Sequence, residues 1–192
     1  MRKLASLAAI FIGSWSAVAQ TATGAGDVLM DKTGGCMEGP VAQFGRYIGD
    51  WDIEDEGLQQ DGTTWLPGNG ARWNFTCVGD GIAIQDFWMP NGPEGGQVPG
   101  VGTNLRIYDP ANERWEIAWT ATQSPGFTHI RAEQNDEGDI VMHWVSPELP
   151  QPRRITFYTP TDEGWDWLME MSFDQGESWT AVYKIKATRR GE

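Results

Sequence analysis

Hydrophobic side chains recur at every second position along most of this chain. Trp51-x-Ile53 opens the series, and Trp73-x-Phe75-x-Cys77 and Ile82-x-Ile84-x-Asp86-x-Trp88 continue it. Leu105-x-Ile107, Trp115-x-Ile117-x-Trp119 and Ile140-x-Met142-x-Trp144 follow. Ile155-x-Phe157, Trp165-x-Trp167-x-Met169-x-Met171 and Trp179-x-Ala181-x-Tyr183-x-Ile185 close it. Period two marks strands with one buried face, as antiparallel sheets carry when their other side meets water. Asp-Gly, Asp-Pro-Ala-Asn and Asp-Glu-Gly turn signals punctuate the runs, for instance at 80–81, 109–112 and 136–138. One stretch departs from the pattern: Gly39 to Ile48 sets Phe44, Tyr47 and Ile48 at helical spacing and predicts a short N-terminal helical turn. The prediction is an all-β domain, a single antiparallel up-and-down β-barrel of about 8–10 strands.

On most strands one parity holds Trp, Ile, Leu or Met while the other holds Glu, Arg, Lys, Thr or Gln. Closing such strands into a barrel encloses room for one small ligand, since eight strands already suffice. Trp88, Trp119, Trp165 and Trp167 fall on the apolar parity and are candidate ligand-stacking residues. The connection from Met89 to Gly102 carries three Pro and five Gly and reads as a rim loop or lid, or as a solvated excursion.

The first residues have a different character. Arg2 and Lys3 precede an apolar stretch from Leu4 to Trp15, and Ala17-Val18-Ala19 has the form of a cleavage site. Residues 1–19 are therefore expected to be a cleaved signal peptide, 20–38 a flexible mature N-terminus and 39–190 the barrel domain, in a periplasmic or secreted protein. Losing Arg2 and Lys3 takes the net charge from −13 to −15. That balance argues against nucleic acid or an anionic membrane surface as partner, because both are bound through Lys and Arg. No later segment is apolar for long enough to predict a membrane span. In an oxidising compartment Cys36 and Cys77 are expected to pair, closing a loop of about 42 residues worth about 4 kcal/mol on the loop-entropy model. Nothing in the sequence bears on oligomeric state.

Two local motifs carry resemblances. Gly49-Asp50-Trp51, a G-x-W at the start of the first strand, resembles the opening of lipocalins and related calycins. That resemblance implies an indole plugging the closed end of the barrel under an arginine from near the C-terminus, where Arg189 and Arg190 stand. Ser172 to Trp179 fits S-x-D-x-G-x-x-W and resembles the Asp-box hairpin of sialidases. It occurs once, so it is read as a well-built turn with its Trp packed beneath. Residues 44–190 as a whole resemble a family of bacterial calycin-like proteins of unknown function. The matching stretches are Phe44 to Trp51, Gly81 to Trp88, Thr103 to Pro110 and Ser172 to Trp179. The resemblance implies the barrel and no particular reaction.

Candidate chemistry centres on few residues. Asp86 shares a parity with Ile82, Ile84 and Trp88, so it is expected inward, as a ligand anchor, a general acid/base, or half of an ion pair with Arg153. Arg106 and Tyr108 form an R-x-Y pair, similar to the carboxylate clamp of intracellular fatty-acid-binding barrels, or else lie on a solvated face beside Leu105 and Ile107. His129 and His143 would face each other if their hairpin were symmetric about Asp136, sharing a metal, working as an acid/base pair, or standing as surface residues, the two ligands falling short of a zinc site's three or four. By alternation, Asp86 inward requires Arg106, His129 and His143 outward. There is no G-x-S-x-G, no phosphate-binding glycine loop, no H-E-x-x-H and no C-x-x-C, so neither a metal nor a cofactor is expected. Three functions remain. The first is an exported binding protein holding a small apolar or aromatic molecule among its indoles. The second is a lyase, isomerase or hydrolase using Asp86 on a hydrophobic substrate, and the third is a structural protein with a solid core.

Overall fold

A computed structural model of the chain describes residues 34–191. The expected signal peptide at 1–19, and the part of the expected flexible N-terminus at 20–33, lie outside the described residues. The described chain forms eleven antiparallel strands. They are β1 (Gly49–Leu58), β2 (Trp65–Pro67), β3 (Ala71–Val78), β4 (Ala83–Pro90), β5 (Gly102–Asp109) and β6 (Arg114–Ala121). The remainder are β7 (Ser124–Gln134), β8 (Ile140–Ser146), β9 (Arg153–Phe157), β10 (Gly164–Met171) and β11 (Thr180–Arg189). From β3 onward each strand pairs with its successor, and β11 returns to pair with β1 from Trp51↔Arg189 to Gly57↔Tyr183. The sheet thus closes into a calycin-like barrel, leaving β2 as a short flap on the far half of β1.

One end is plugged by the predicted helical turn. Gly34–Met37 and Gly39–Val41 are 3-10 turns, and Ala42–Gly45 is one α-helical turn. Phe44 drives this segment into the barrel, edge-on to Trp115 at 4.9 Å and to Phe157 at 5.6 Å. Tyr47 does the same against Trp165 at 5.2 Å and donates its hydroxyl hydrogen to the Tyr158 carbonyl at 2.9 Å. Trp51 donates from Nε1 to the Tyr47 carbonyl at 2.8 Å, and the Arg189 guanidinium lies over its ring at 4.1 Å. Gly49, at φ +139, stands where a side chain would collide with Arg189. The G-x-W motif and a C-terminal arginine meet here as their lipocalin resemblance implies. Cys36, fully buried within the described part of the segment expected to be flexible, is bonded to Cys77 of β3 with a Cα–Cα distance of 5.9 Å. The bridge ties the plug to the wall.

The Ser172–Trp179 hairpin is built from its own side chains. Ser172 Oγ accepts from the Gly176 amide at 2.6 Å, Asp174 Oδ1 accepts from the Ser178 amide at 2.8 Å, and Gly176 takes φ +99. A bulge between Met169 and Glu170 shifts the β10–β11 register, so Tyr183 and Ile185 face the interior while Trp179 lies outside. There the Arg154 guanidinium covers it at 4.6 Å.

Because the bridge spans 41 positions, replacing Cys36 and Cys77 together with Ser should lower unfolding free energy by about 4 kcal/mol. Urea titration checks this, and an unchanged midpoint would show that the plug needs no covalent tie.

Candidate functional site

The half of the barrel away from the plug is hollow. A partly open cavity of about 310 Å³ lies there, within the range of small-molecule sites. Five indoles line it, those of Trp73, Trp88, Trp119, Trp144 and Trp167. Alternation supplies them, because each stands on the inward parity of its strand near the end opposite the plug. Trp73 and Trp88, opposite each other on β3 and β4, meet edge-on at 5.1 Å. The outer edge of the Trp119 ring lies against Gly102, where any Cβ would run into the indole. Ile130, Met142, Ile155, Phe157 and Met169 fill the wall between.

The floor is polar. Register sets Ile84 opposite Arg106, Asp86 opposite Asn104 and Trp88 opposite Gly102, so all six share the inner face. Arg106 and Asp86 are both completely buried, with Nη2 2.5 Å from Oδ2. Asn104 completes the carboxylate's shell, donating from its amide to Oδ1 at 3.0 Å and from Nδ2 to Oδ1 at 3.2 Å and Oδ2 at 3.1 Å. Arg106 sits among three rings, 4.7 Å from Phe44, 5.2 Å from Phe75 and 5.8 Å from Phe157. Burial pushes its pKa down from the usual value, the Asp86 carboxylate pulls it back up, and an arginine remains charged.

Two expectations are corrected here. The partner of Asp86 is Arg106 and not Arg153, which sits on β9 with no ion pair among the described residues. Arg106 and Asp86 also share the lumen, although apolar parity on β5 placed them on opposite faces. It is Leu105 and Ile107 that face outward, 39% and 48% exposed. The β4 carboxylate makes it possible for β5 to turn its polar parity inward, since a buried guanidinium requires a buried anion.

The other candidates disperse. Tyr108 faces inward nearer the plug, edge-on to Trp115 at 5.4 Å, and takes no part in the cavity. Trp165 lies beneath the floor, stacked on Phe157 at 5.4 Å, and so is a core residue instead of a ligand contact. Trp88, Trp119 and Trp167 do line the space. The histidines do not face each other: His143 pairs with Arg131, and His129 with Ser146 across a bulge. The hairpin is centred one residue later than symmetry about Asp136 requires, with Gln134 opposite Ile140. His129 lies on the outer face against Glu116. Burial raises the Glu116 pKa, but hydrogen bonds from His129, Arg114 and Arg131 outweigh it and hold the carboxyl below its usual range. Among the described residues no three His, Cys, Asp or Glu gather as a metal site. The residues that pattern reading did not single out as ligand contacts include Trp73, Trp144, Asn104 and Gly102. Their signal is register, because Asn104 and Gly102 stand opposite Asp86 and Trp88.

No family model and no curated protein matches this chain. Among solved structures it is similar to an S-type phycobiliprotein lyase from Guillardia theta, with 10% identity over 78% of this chain and 91% of that chain, at a TM-score of 0.55. At that identity the likeness is one of fold: two barrels of the same build. Among the described residues no helix is long and apolar enough to cross a membrane.

Removing half of the buried pair should be worse than removing both. Asp86→Leu alone strands a buried guanidinium and should cost about 3–5 kcal/mol. Asp86→Leu with Arg106→Met should regain most of that in chemical denaturation. A double variant as unstable as the single one would show that the pair itself holds the fold.

Proposed function

We propose that this is an exported protein that holds one small apolar or aromatic molecule in the indole-lined cavity. The observation that carries the reading is the cavity itself: about 310 Å³ faced by five tryptophans, in a chain whose plug end is packed solid by the same residue type. Dry apolar cavities of that size bind apolar guests. The build shared with a lyase barrel supports a ligand-holding use of the architecture. Export is supported by the basic and apolar leader pattern of the sequence and by the Cys36–Cys77 bridge, which persists in oxidising compartments.

The two rival readings draw less support. Asp86 does not line the cavity, and Asn104 and Arg106 occupy both of its oxygens, so an acid/base role has no path to a substrate. A solid structural core would leave no such space.

N-phenyl-1-naphthylamine, a neutral fluorophore, should bind saturably and quench tryptophan emission. Gly102→Val pushes the Trp119 ring into the cavity and should weaken that binding about tenfold or more, as displacing a buried aromatic anchor does. Far-UV circular dichroism checks that the variant stays folded. Unsaturable binding, or equal binding by the folded variant, would defeat the assignment.

A further inference from the structure

The floor of the cavity presents one free polar atom. Asn104 Nδ2 donates to both Asp86 oxygens, at 3.2 and 3.1 Å, and so turns the amide oxygen away from the carboxylate. The reverse placement would set acceptors against each other. Among the described residues nothing donates to Asn104 Oδ1, and the sealed side-chain atoms without partners are all nitrogens, so this oxygen keeps surface. Asn104 is 5% exposed, faces inward opposite Asp86 and lines the cavity. The cavity is therefore the space that its oxygen meets. Neighbouring groups of the lining are closed to a guest. Trp73 and Trp167 are sealed at Nε1, and the Arg106 side chain is wholly buried against Asp86. Tyr183 gives its hydroxyl hydrogen to Asp55 Oδ2 at 2.5 Å.

That oxygen is a strengthened acceptor. Its amide nitrogen donates to a carboxylate that a guanidinium holds, and linked hydrogen bonds in a low-dielectric interior polarise one another. Buried acceptors are nearly always paired, and leaving one bare is costly. A guest that brings a hydrogen removes the cost, whereas a hydrocarbon, an ether or a ketone leaves it in place. Charge narrows the class further. Asp86 and Arg106 offset each other, so an ammonium would enter an apolar site without an anion of its own, and a carboxylate without a cation. A neutral hydroxyl or N–H brings the hydrogen and adds no charge.

We infer that the cavity selects a neutral aromatic molecule with a hydroxyl or N–H group at its inner end, a phenol or an indole in chemical class. Asn104 Oδ1 accepts that hydrogen while the indoles of the lining hold the rings. The inference rests on the reading that the cavity binds a small molecule, and it names the group of that molecule which meets the floor. It also gives Asn104 two separable tasks. Its backbone amide donates to Asp86 Oδ1 at 3.0 Å whatever the side chain is, and its side-chain oxygen addresses the guest.

The test uses 2-naphthol, 2-methoxynaphthalene and 2-naphthylmethylammonium, each titrated calorimetrically into the oxidised protein. Bound naphthol should absorb at longer wavelength than it does in an alkane, and by a wider margin than bound methoxynaphthalene, because only the naphthol donates a hydrogen bond. Asn104→Ala removes the side-chain oxygen and leaves Asp86 its backbone amide and Arg106. In that variant the preference for naphthol over methoxynaphthalene should fall about fivefold, the size of one hydrogen bond. Comparing the two preferences cancels the difference in hydrophobicity between the probes. Far-UV circular dichroism checks that the variant folds, and should it not, the absorption shift in the unaltered protein decides alone. An unchanged preference in the folded variant, or equal shifts of the two probes, would overturn the acceptor role of Asn104 and leave apolar binding standing. Tightest binding by the ammonium would overturn the neutral class. Binding of none of the three would defeat the small-molecule reading itself.

Discussion

The buried pair of Asp86 and Arg106 is the constraint around which the molecule is arranged. Two opposite charges without solvent contact are tolerated only where geometry and secondary hydrogen bonds compensate their desolvation. Asn104 supplies those bonds to the carboxylate, and Phe44, Phe75 and Phe157 enclose the guanidinium with the negative faces of their rings. The plug, β3, β4, β5 and β9 all contribute an atom to this one point. It also fixes register, since a one-residue slip between β4 and β5 would carry a buried charge to the surface and strand its partner. Alignment of the barrel thus rests on this contact, and stability requires that neither charge be left without the other.

The pair divides the interior in two. On the plug side Trp51, Trp115 and Trp165 interlock with Phe44 and Tyr47 at edge-to-face distances. On the other side five indoles line a common space, with Trp73 and Trp88 the pair in edge-on contact. The same amino acid makes a solid and a hollow half. The difference is the small helical segment, which brings Phe44 and Tyr47 to one end and has no counterpart at the other.

The architecture was largely legible in the sequence, because strand alternation and turn residues act locally. Trp51 and its C-terminal arginine, the Ser172–Trp179 turn and the Cys36–Cys77 bridge could all be read in advance. The site was legible only in part. Leu105 and Ile107 follow the rule that apolar parity faces inward, and on β5 the rule fails because a charge on the neighbouring strand reverses the preference. That reversal belongs to a pair of strands, and a single strand carries no trace of it. Alternation likewise gives the side of a residue but not its depth: Trp165 and Trp167 share a parity, yet one is floor and the other wall. Depth follows from the stagger of a closed sheet. The β7–β8 hairpin is centred one residue beyond Asp136, which separates the two histidines, and the bulge beside Met169 turns Trp179 outward.

The ladder between β1 and β11 has a consequence in time. It joins segments as far apart as Asp52 and Arg190, 138 positions distant. Contacts of that separation form slowly, because the loop between them must be ordered before they reward it. The first strand therefore waits for the last, and so does the arginine that covers Trp51. A chain emerging gradually from a ribosome holds an open sheet with a bare edge until the ten residues of β11 arrive. The cavity takes shape only when β11 docks on β1.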